Sequence, residues 1–303
     1  MKPRQPGGAS VGLGEASRGR GAHRFSHAAM ATVFEVHCVH VDSRYAAQAA
    51  QAAFGLVDRL EQELSRFVEN SDISRVNHLA AGQSTRVSPW TMECLEIARH
   101  VYGLTGGAFD VSIGSGLESL ALDPDEFAVH AREGGARLDL GGIGKGYAVD
   151  RMAEVLEEWE ISRALVHGGF SSVLALEAPP DREGWPLTLS APGLGDNRVL
   201  ARVSARHKAF SASGVRKGDH ILDPRTGLPV HGRAAAWVAV PWEDGGSSAA
   251  VADALSTGFM IQPAEEVADL CRKCPGLEAW LVPAPEEGGE KAPGLVHVGT
   301  SRT

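Results

Sequence analysis

The strongest candidate for chemistry in the sequence is a glycine-rich turn that carries one lysine. It reads Asp139-Leu-Gly-Gly-Ile-Gly-Lys-Gly146, and it lies between a predicted strand over residues 136–140 and a predicted helix over residues 147–159. A strand, a glycine turn and a helix in this order can offer backbone N–H groups to a phosphate, and Lys145 would add positive charge. The spacing fits neither the Walker A loop nor the dinucleotide-binding fingerprint. By itself, the turn is equally compatible with a phosphate site and with a tight turn whose lysine is solvated.

A second candidate lies on a predicted helix over residues 247–261. Asp253 and Thr257 are four residues apart, so a carboxylate and a hydroxyl share one face of that helix, and Ser256 adjoins them. Hard oxygen ligands of this kind suit Mg²⁺, which takes one or two carboxylates and keeps several waters. Without other observations, the simpler interpretation is an aspartate near the helix start and a threonine that hydrogen-bonds back to its own helix.

A histidine supplies a third candidate. His220 begins the segment His220-Ile-Leu-Asp-Pro224, which leads into a Pro/Gly turn. Imidazole titrates near neutral pH, so this side chain is a candidate general base. The chain has 12 histidines, and neither this segment nor the preceding loop Ser211-Ala-Ser-Gly214 distinguishes a base from an ordinary histidine.

The turn Gly106-Gly-Ala-Phe-Asp-Val111 places an aromatic ring beside a carboxylate. Phe109 could stack on a planar ring, and Asp110 could hydrogen-bond to it. A hydrophobic anchor followed by a capping residue produces the same sequence, and for the turn alone that is the simpler explanation.

The four cysteines include one C-x-x-C pair, Cys271 and Cys274. A zinc site needs a second pair of ligands at a matching distance, and a thioredoxin-like motif follows the first strand of a βαβ unit instead of standing near the chain end. We therefore interpret both residues as thiols at the end of a helix.

Hydrophobic spacing organises the rest of the chain into helices and strands. Helical periodicity covers residues 46–64, and residues 89–105 form a second helix capped by Ser88. Alternating or β-branched runs predict strands over residues 25–40, 162–166, 173–176, 187–190, 200–203 and 235–240, with a closing hairpin of residues 279–282 and 295–298. Residues 65–77 are predicted to form a loop. This pattern predicts an α+β fold, with mixed or antiparallel sheets and packed helices in a single domain.

The composition is that of an ordinary soluble globular protein, with 43% hydrophobic residues, 22% charged residues and a net charge of −9. That charge, and the lack of a basic run with interleaved aromatics, argue against a nucleic-acid partner. No stretch approaches the roughly 18 apolar residues of a membrane span. Residues 1–23 lack the apolar core of a signal peptide, so we predict a disordered extension there, one domain over residues 24–300 and a cytoplasmic location.

Taken in chain order, six segments resemble the ApbE family of FAD:protein FMN transferases. The resemblance spans about residues 25–298 and rests on Met30-Ala-Thr32 (where the family usually has Met-Gly-Thr), Ser65-Arg-Phe67 with Ser71-Asp-Ile-Ser-Arg-Val-Asn77, Gly107-Ala-Phe-Asp110, Asp139-Leu-Gly-Gly-Ile-Gly-Lys-Gly-Tyr-Ala-Val-Asp150, His220-Ile-Leu-Asp-Pro224 and Ala252-Asp-Ala-Leu-Ser-Thr257. Each segment is weak alone, and their shared order makes the resemblance specific. It implies one catalytic domain that binds FAD in a cleft, with Mg²⁺ on the pyrophosphate.

The resemblance also implies roles for individual residues. The positions that contact the flavin nucleotide fall on Met30, Phe67, Ala108, Phe109, Asp110, Asp139, Lys145 and Leu222. The metal positions fall on the backbone carbonyl of Gly142, on the side chains of Asp253 and Thr257, and more weakly on Ser256, where some relatives have an aspartate. His220 matches the catalytic base, and Lys145 would steady the phosphate oxygens.

The implied reaction transfers FMN from FAD to a Thr or Ser hydroxyl of an acceptor flavoprotein and releases AMP. Two alternatives remain open: Mg²⁺-dependent hydrolysis of FAD to FMN and AMP, and FAD binding without catalysis. The chain departs from the family at one loop, where relatives usually carry Asn-x-Gly-Gly followed by Asp or Asn and this sequence has His167-Gly-Gly-Phe-Ser-Ser172. The glycines are kept, while the amide and the acid are replaced.

Overall fold

The computed structural model describes residues 9–13, 21–190, 199–215, 222–230, 232–243, 245–284 and 294–299. Within these ranges the helices are α1 Ser43–Leu64, α2 Asp72–Asn77, α3 Pro89–Leu104, α4 Gly144–Glu158, α5 Ser248–Gly258 and α6 Ala264–Lys273. The strands are β1 Ser10–Leu13, β2 Ala22–Ala29, β3 Thr32–Val39, β4 Ser84–Arg86, β5 Leu120–Asp123, β6 Ala128–Ala131, β7 Ala164–Gly168, β8 Ser172–Ala175, β9 Trp185–Ser190, β10 Val199–Ala205, β11 Lys208–Gly214, β12 Arg233–Pro241, β13 Glu278–Pro283 and β14 Val296–Val298. None of the described helices is both long and apolar enough to cross a membrane.

The centre of the fold is an eight-stranded sheet in the order β14-β13-β12-β11-β8-β7-β3-β2. Two three-stranded sheets, β1-β9-β10 and β4-β6-β5, complete the described strands. Each described pairing between these strands is antiparallel. The predicted α+β class is confirmed, and its sheets are antiparallel in the described residues.

The central strands of the large sheet are buried on both faces because their side chains alternate between two hydrophobic clusters. In β12, Ala236 and Val238 belong to the cluster formed with the helices, whereas Trp237 faces the other way and joins β1, β9 and β10. In β7, Val166 and Leu165 are divided between the same two clusters. This is the period-two alternation of a strand with two apolar faces, and it makes the fold a sheet between helices and a smaller sheet.

Local sequence explains how the helices begin. The side chain of Ser88 accepts a hydrogen bond from the Thr91 N–H and Pro89 occupies the first turn, so α3 starts where the sequence predicts.

Cys271 lies in α6 and Cys274 follows its last residue, and both thiols are free. The pairing of β13 with β14 confirms the predicted closing hairpin.

Several predicted boundaries are wrong. Residues 65–77 are not only a loop, because Ser71 caps the short helix α2. The helix predicted from residue 147 begins at Gly144, and the one predicted to reach residue 261 ends at Gly258. The strand predicted at 136–140 is absent, and a short 3₁₀ turn, Leu140–Gly142, takes its end.

Side chains take the place of a partner strand at residues 136–140. The Leu138 N–H donates to Asn77 Oδ1 at 2.6 Å, and Asn77 Nδ2 donates to the Leu138 carbonyl at 3.0 Å. The Arg137 N–H donates to Ser115 Oγ at 2.8 Å. These side chains bond backbone groups of Arg137 and Leu138 in place of a neighbouring strand. The apolar pattern alone therefore predicted a strand where the structure has none.

The N-terminal region also differs from the prediction. The structure describes residues 9–13 and 21–23 of the stretch expected to be disordered, and β1 pairs with β9 while β2 begins at Ala22. Val11 in β1 is fully buried. The rest of residues 1–23 lies outside the described residues.

Candidate functional site

A cavity of about 670 Å³ opens where the β2–β3 turn, the β7–β8 turn, the end of β11 and the start of α4 meet. Its volume is within the range of about 300–1,000 Å³ that is usual for small-molecule sites. The predicted site residues that line it are Met30, Ala108, Phe109, Asp110, Asp139, Gly142, Lys145, Leu222 and Thr257. Residues widely separated in sequence therefore share one cavity.

The glycine-lysine turn forms one wall of this cavity. The Asp139 carboxylate accepts a hydrogen bond from the Gly141 N–H at 2.9 Å, which caps the 3₁₀ turn before α4. Lys145 follows in the first turn of α4, and its Nζ donates to the Gly141 carbonyl at 3.1 Å. The ammonium group is therefore held over the turn at the cavity wall.

Asp253 lies directly behind this turn and is almost completely buried. Its Oδ2 accepts from the Gly146 N–H at 3.1 Å and from Lys145 Nζ at 3.4 Å. Its Oδ1 accepts from Ser211 Oγ, on β11, at 2.9 Å. Three donors from two elements therefore satisfy the hydrogen-bonding needs of this buried side chain.

Three hydroxyl groups continue the polar surface away from Asp253. Ser213 Oγ lies 2.9 Å from Ser256 Oγ and 3.1 Å from Thr257 Oγ1. Ser256 Oγ donates to the Asp253 carbonyl at 2.9 Å, and Thr257 Oγ1 makes the same bond at 3.4 Å. The bond from threonine to its own helix, which was the simpler interpretation of the sequence, is present, and Thr257 nevertheless faces the cavity.

The donor set suits a hard divalent cation. A Cβ built on Gly142 would lie 3.4 Å from Thr257 Oγ1 and 3.2 Å from the Phe109 ring, so the turn packs closely on both side chains. The oxygen donors here are the Asp253 carboxylate, the hydroxyls and the turn carbonyls, which are ligand types that Mg²⁺ accepts alongside water and phosphate. Among the described residues, no group of three or more His, Cys, Asp or Glu side chains is arranged to hold a metal.

Part of the cavity wall is apolar. Met30 stands in the β2–β3 turn, where it has a φ of 49° and Ala31 a φ of 56°. Phe109 is 3% exposed, and its N–H is fixed by Thr105 Oγ1 at 3.0 Å. Leu222 is 39% exposed and forms a bridge with Pro229. A flat apolar ligand could lie against this wall while its charged part meets the lysine turn.

Asp110 and Asp139 line the cavity, but each carboxylate is already engaged. Asp110 accepts from the Ser112 N–H at 2.8 Å and the Gly114 N–H at 2.9 Å, which tightens its own loop. Asp139 forms an ion pair with Arg66 Nε at 2.8 Å. Both carboxylates therefore hold their own loops in place, and both residues also line the cavity.

Not every predicted residue lines the cavity. The Phe67 ring is 80% exposed and carries the Arg66 guanidinium 4.2 Å above its centroid, so it reaches the site only through the pair of Arg66 with Asp139. Ser256 is fully buried and contacts the cavity through Ser213. His220 lies outside the described residues.

Some residues at the cavity were not assigned from the sequence. Ser213 falls in the segment 211–214 that the sequence predicted as a glycine loop, but the structure places this segment in strand β11, and Ala9 precedes the unexpected strand β1. Gly169, with a φ of 66°, packs so closely on Thr32 that an added Cβ would lie 2.6 Å from its Oγ1. The two glycines kept in the 167–172 segment are the signal that pointed to this loop.

His167, where the chain departs from the family pattern, has a structural partner. Its buried ring donates from Nε2 to the Val11 carbonyl at 2.9 Å, and the Val11 N–H donates to the Phe170 carbonyl at 2.8 Å. Burial lowers the pKa of the His167 imidazole below its ordinary value. This histidine therefore fastens β1 beside the cavity instead of offering a polar group to a ligand.

Comparison with known proteins finds one matching family and several relatives. The model of the ApbE family matches residues 30–281. Relatives named FAD:protein FMN transferase include one from Salmonella typhimurium, 24% identical over 306 residues, covering 86% of this chain and 83% of the relative. Another, from Treponema pallidum, is 27% identical over 285 residues, covering 77% of this chain and 76% of the relative.

Solved structures show the same fold. The flavin transferase ApbE from Vibrio cholerae has a TM-score of 0.76 at 21% identity, covering 92% of this chain and 98% of that chain. The apo form of the Pseudomonas stutzeri flavinyl transferase ApbE has a TM-score of 0.74 at 24% identity, covering 91% and 93%.

Proposed function

The chain belongs to the ApbE family, and on that premise we propose that it transfers FMN from FAD to a hydroxyl group of an acceptor protein. The proposal combines the activity named for its relatives with the cavity of this chain. The transfer would release AMP and leave the FMN phosphate esterified to a Thr or Ser of an acceptor flavoprotein.

One observation supports this proposal most directly: a single cavity joins an apolar wall to a polar corner. Met30, Phe109 and Leu222 supply a surface for a planar ring system, while Gly142, Lys145 and Thr257 line the same cavity. FAD has this division, with an isoalloxazine ring at one end and a pyrophosphate in the middle. A small apolar metabolite would not need the lysine turn, and a simple phosphate would not need the apolar wall.

The residues that would hold Mg²⁺ are Asp253, Thr257, the Gly142 carbonyl and, more weakly, Ser256. When bound, the cation would offset negative charge on the pyrophosphate, which is the usual contribution of Mg²⁺ to phosphoryl transfer. Asp253 is the only carboxylate among these groups, so it is expected to dominate the protein's contribution.

In the proposed reaction, the acceptor hydroxyl oxygen forms a bond to the phosphorus of the FMN half. The bond from that phosphorus to the bridging oxygen breaks, and AMP leaves with that oxygen. His220, which matches the family's base by sequence, would accept the hydroxyl proton. Lys145 and the N–H groups of the turn would steady the phosphate oxygens as charge shifts between them.

One incubation tests the proposal: the protein with FAD, Mg²⁺ and a flavoprotein peptide that carries a Thr, analysed by mass spectrometry. An FMN adduct on the peptide supports transfer. Free FMN and AMP without an adduct would instead indicate FAD hydrolysis, and unchanged FAD with demonstrated binding would indicate a non-catalytic flavin-binding protein.

Two variants assign the roles. Asp253→Ala should abolish turnover at low Mg²⁺, with Asp125→Ala, an exposed carboxylate between β5 and β6, as a matched control. Full activity of Asp253→Ala at low Mg²⁺ would contradict the metal assignment. His220→Ala should slow transfer and leave FAD binding nearly intact, whereas equal loss of both would remove its role as a base.

A further inference from the structure

Lys145 and Asp253 form an ion pair beside the candidate metal site, and this pair affects how a cation and a nucleotide bind there. The Asp253 side chain is 3% exposed, the Lys145 side chain is 26% exposed, and Nζ lies 3.4 Å from Oδ2. The carboxylate best placed to bind a cation therefore faces a positive charge in this structure. The Gly146 N–H and Ser211 hydroxyl add two more donors to the same carboxylate.

The neighbouring oxygens cannot replace that charge. Ser213, Ser256 and Thr257 contribute neutral hydroxyls, and in the described chain no second carboxylate joins Asp253 in a metal-binding group. Asp139 is paired with Arg66, and Asp110 holds the N–H groups of its own loop. The corner at Asp253 is therefore close to neutral, with one ammonium and one carboxylate in contact, while the Asp110 carboxylate keeps its charge within its own loop.

A neutral corner is a poor site for Mg²⁺, which loses its water reluctantly and is held mainly by negative charge. A nucleotide pyrophosphate brings negatively charged oxygens that can bind the cation. The same oxygens give the lysine ammonium a new partner. The ammonium can then leave Asp253 for a phosphate oxygen, and the freed carboxylate can bind the cation.

We propose that Lys145 is a switch residue that keeps Asp253 occupied until a nucleotide diphosphate enters, so that Mg²⁺ and the nucleotide bind as a coupled pair. This rests on the proposed function for the identity of the nucleotide, FAD. Because coupling between two ligands is reciprocal, Mg²⁺ must strengthen FAD binding by the same factor by which FAD strengthens Mg²⁺ binding. Factors of about 5–150 are usual for such coupling.

The experiment measures Mg²⁺ affinity by isothermal titration calorimetry, in the free protein and in the presence of saturating FAD without acceptor. We expect Mg²⁺ to bind at least about tenfold more tightly with FAD present, within the usual coupling range. Equal affinity in the two titrations would overturn the inference.

Lys145→Met should change the affinity for Mg²⁺ and the affinity for FAD in opposite directions, so one variant tests both roles of the lysine. Without its ammonium partner, Asp253 should bind Mg²⁺ more tightly in the free protein, by about fivefold or more, while FAD, followed by its fluorescence, should bind more weakly. Unchanged or weaker Mg²⁺ binding to the folded free variant would contradict the switch. Circular dichroism establishes that the variant is folded.

The chain contains a closely matched control. Lys208 is 24% exposed and its Nζ lies 2.7 Å from Glu278 Oε1, whose side chain is 3% exposed, so this pair repeats the burial of the other. Lys208 is not among the residues of the cavity. Lys208→Met should leave Mg²⁺ binding unchanged, and a gain equal to that of Lys145→Met would show a nonspecific effect of lost charge and overturn the inference.

Failure of the inference is distinguishable from failure of the proposed function. If FAD does not bind to the unmodified protein, the proposed function is contradicted. The Mg²⁺ titrations of the free protein and of Lys145→Met need no FAD, so they still decide whether the lysine occupies Asp253.

Discussion

Gly146 touches Ala249 so closely that a Cβ built on the glycine would stand 2.1 Å from the Ala249 carbonyl oxygen. The contact joins α4 to α5 at the level of the candidate site. From the same position, the Gly146 N–H reaches Asp253 at 3.1 Å. The backbone contact between the two helices therefore determines where the Asp253 carboxylate lies relative to the lysine turn.

The first prediction follows from this contact. Gly146→Ala should lower the free energy of unfolding by about 1–3 kcal/mol or more, because α5 must move away from α4. Urea unfolding measures the change, and FAD affinity should fall with it. Gly55→Ala is the control, since no atom lies within 4 Å of an added Cβ there and α1 should be stabilised by up to about 1 kcal/mol. A similar effect of both substitutions would contradict the packing argument.

A second contact between the same helices is the cap that Asp150 provides. Its two carboxylate oxygens each accept a backbone N–H at 2.8 Å, from Ala249 and Ala250, and its side chain is fully buried. Burial raises the pKa of this carboxyl well above its ordinary value, while the two N–H groups and Arg151 favour the charged form.

Asp150→Ala should therefore cost more stability than the loss of an exposed cap. Two buried N–H groups would lose their partner, each at about 1–3 kcal/mol. Asp42→Ala removes the exposed cap of α1, which accepts from the N–H groups of Arg44 and Tyr45, and should cost less stability. Denaturant unfolding compares the two variants, and an equal loss would mean that water satisfies the α5 terminus.

The turn that presents Met30 is the basis of a third prediction. Ala31 has a φ of 56°, a conformation that costs an L-residue about 1–2 kcal/mol and glycine almost nothing. Ala31→Gly should stabilise the protein by about 0.5–1 kcal/mol, since the greater freedom of glycine in the unfolded chain offsets part of the gain. Thermal unfolding measures the shift. Ala28→Gly in the adjoining strand should have the opposite sign, and destabilisation by both would show that the turn is not strained.

Sequence patterns predicted the parts of this fold that depend on local spacing. The apolar residues of α1 recur at helical intervals, and Ser88 followed by Pro89 marks the start of α3. The strand at 136–140 was mispredicted because Asn77 and Ser115, distant in sequence, satisfy its backbone. Likewise β1 has only four residues, and its pairing with β9 depends on a chain segment about 180 positions away.

The site divides in the same way. Asp253 and Thr257 share a helix face, which their spacing alone predicts. Lys145 reaches Asp253 across 108 positions, and Ser213 on strand β11 reaches Thr257 on helix α5, so only the tertiary fold brings them together. Most of the site residues that the resemblance to a family assigned line the cavity, whereas Ser213 was assigned only from the structure.

The thiols provide a fourth prediction. Burial raises the pKa of Cys38 and of Cys271 to about 11, and it raises the pKa of fully buried Cys94 further. Thiolate is the reactive form, so these three should resist iodoacetamide at pH 7.5 while the partly exposed Cys274 is labelled first. Peptide mass spectrometry locates the label, and all four should react in urea. Rapid labelling of Cys271 in the folded protein, or a disulfide between Cys271 and Cys274, would contradict the structural interpretation of this pair.

The last prediction concerns acid. A hydrogen bond from His37, followed by one from Arg24, lowers the pKa of Glu35 to about 2, from 4.5. Because the folded-state pKa is the lower one, the stabilisation is present above about pH 5 and is lost as the pH falls toward 2. Solvent screens part of the interaction, because the Glu35 side chain is 21% exposed. The stabilisation by this carboxylate is therefore on the order of 2 kcal/mol. Glu35→Gln should flatten the fall in unfolding free energy between pH 5 and pH 2, measured by urea unfolding at each pH. Glu69→Gln, at an exposed position, should keep the slope of the unmodified protein, and an unchanged slope in Glu35→Gln would mean that other carboxylates carry the acid sensitivity.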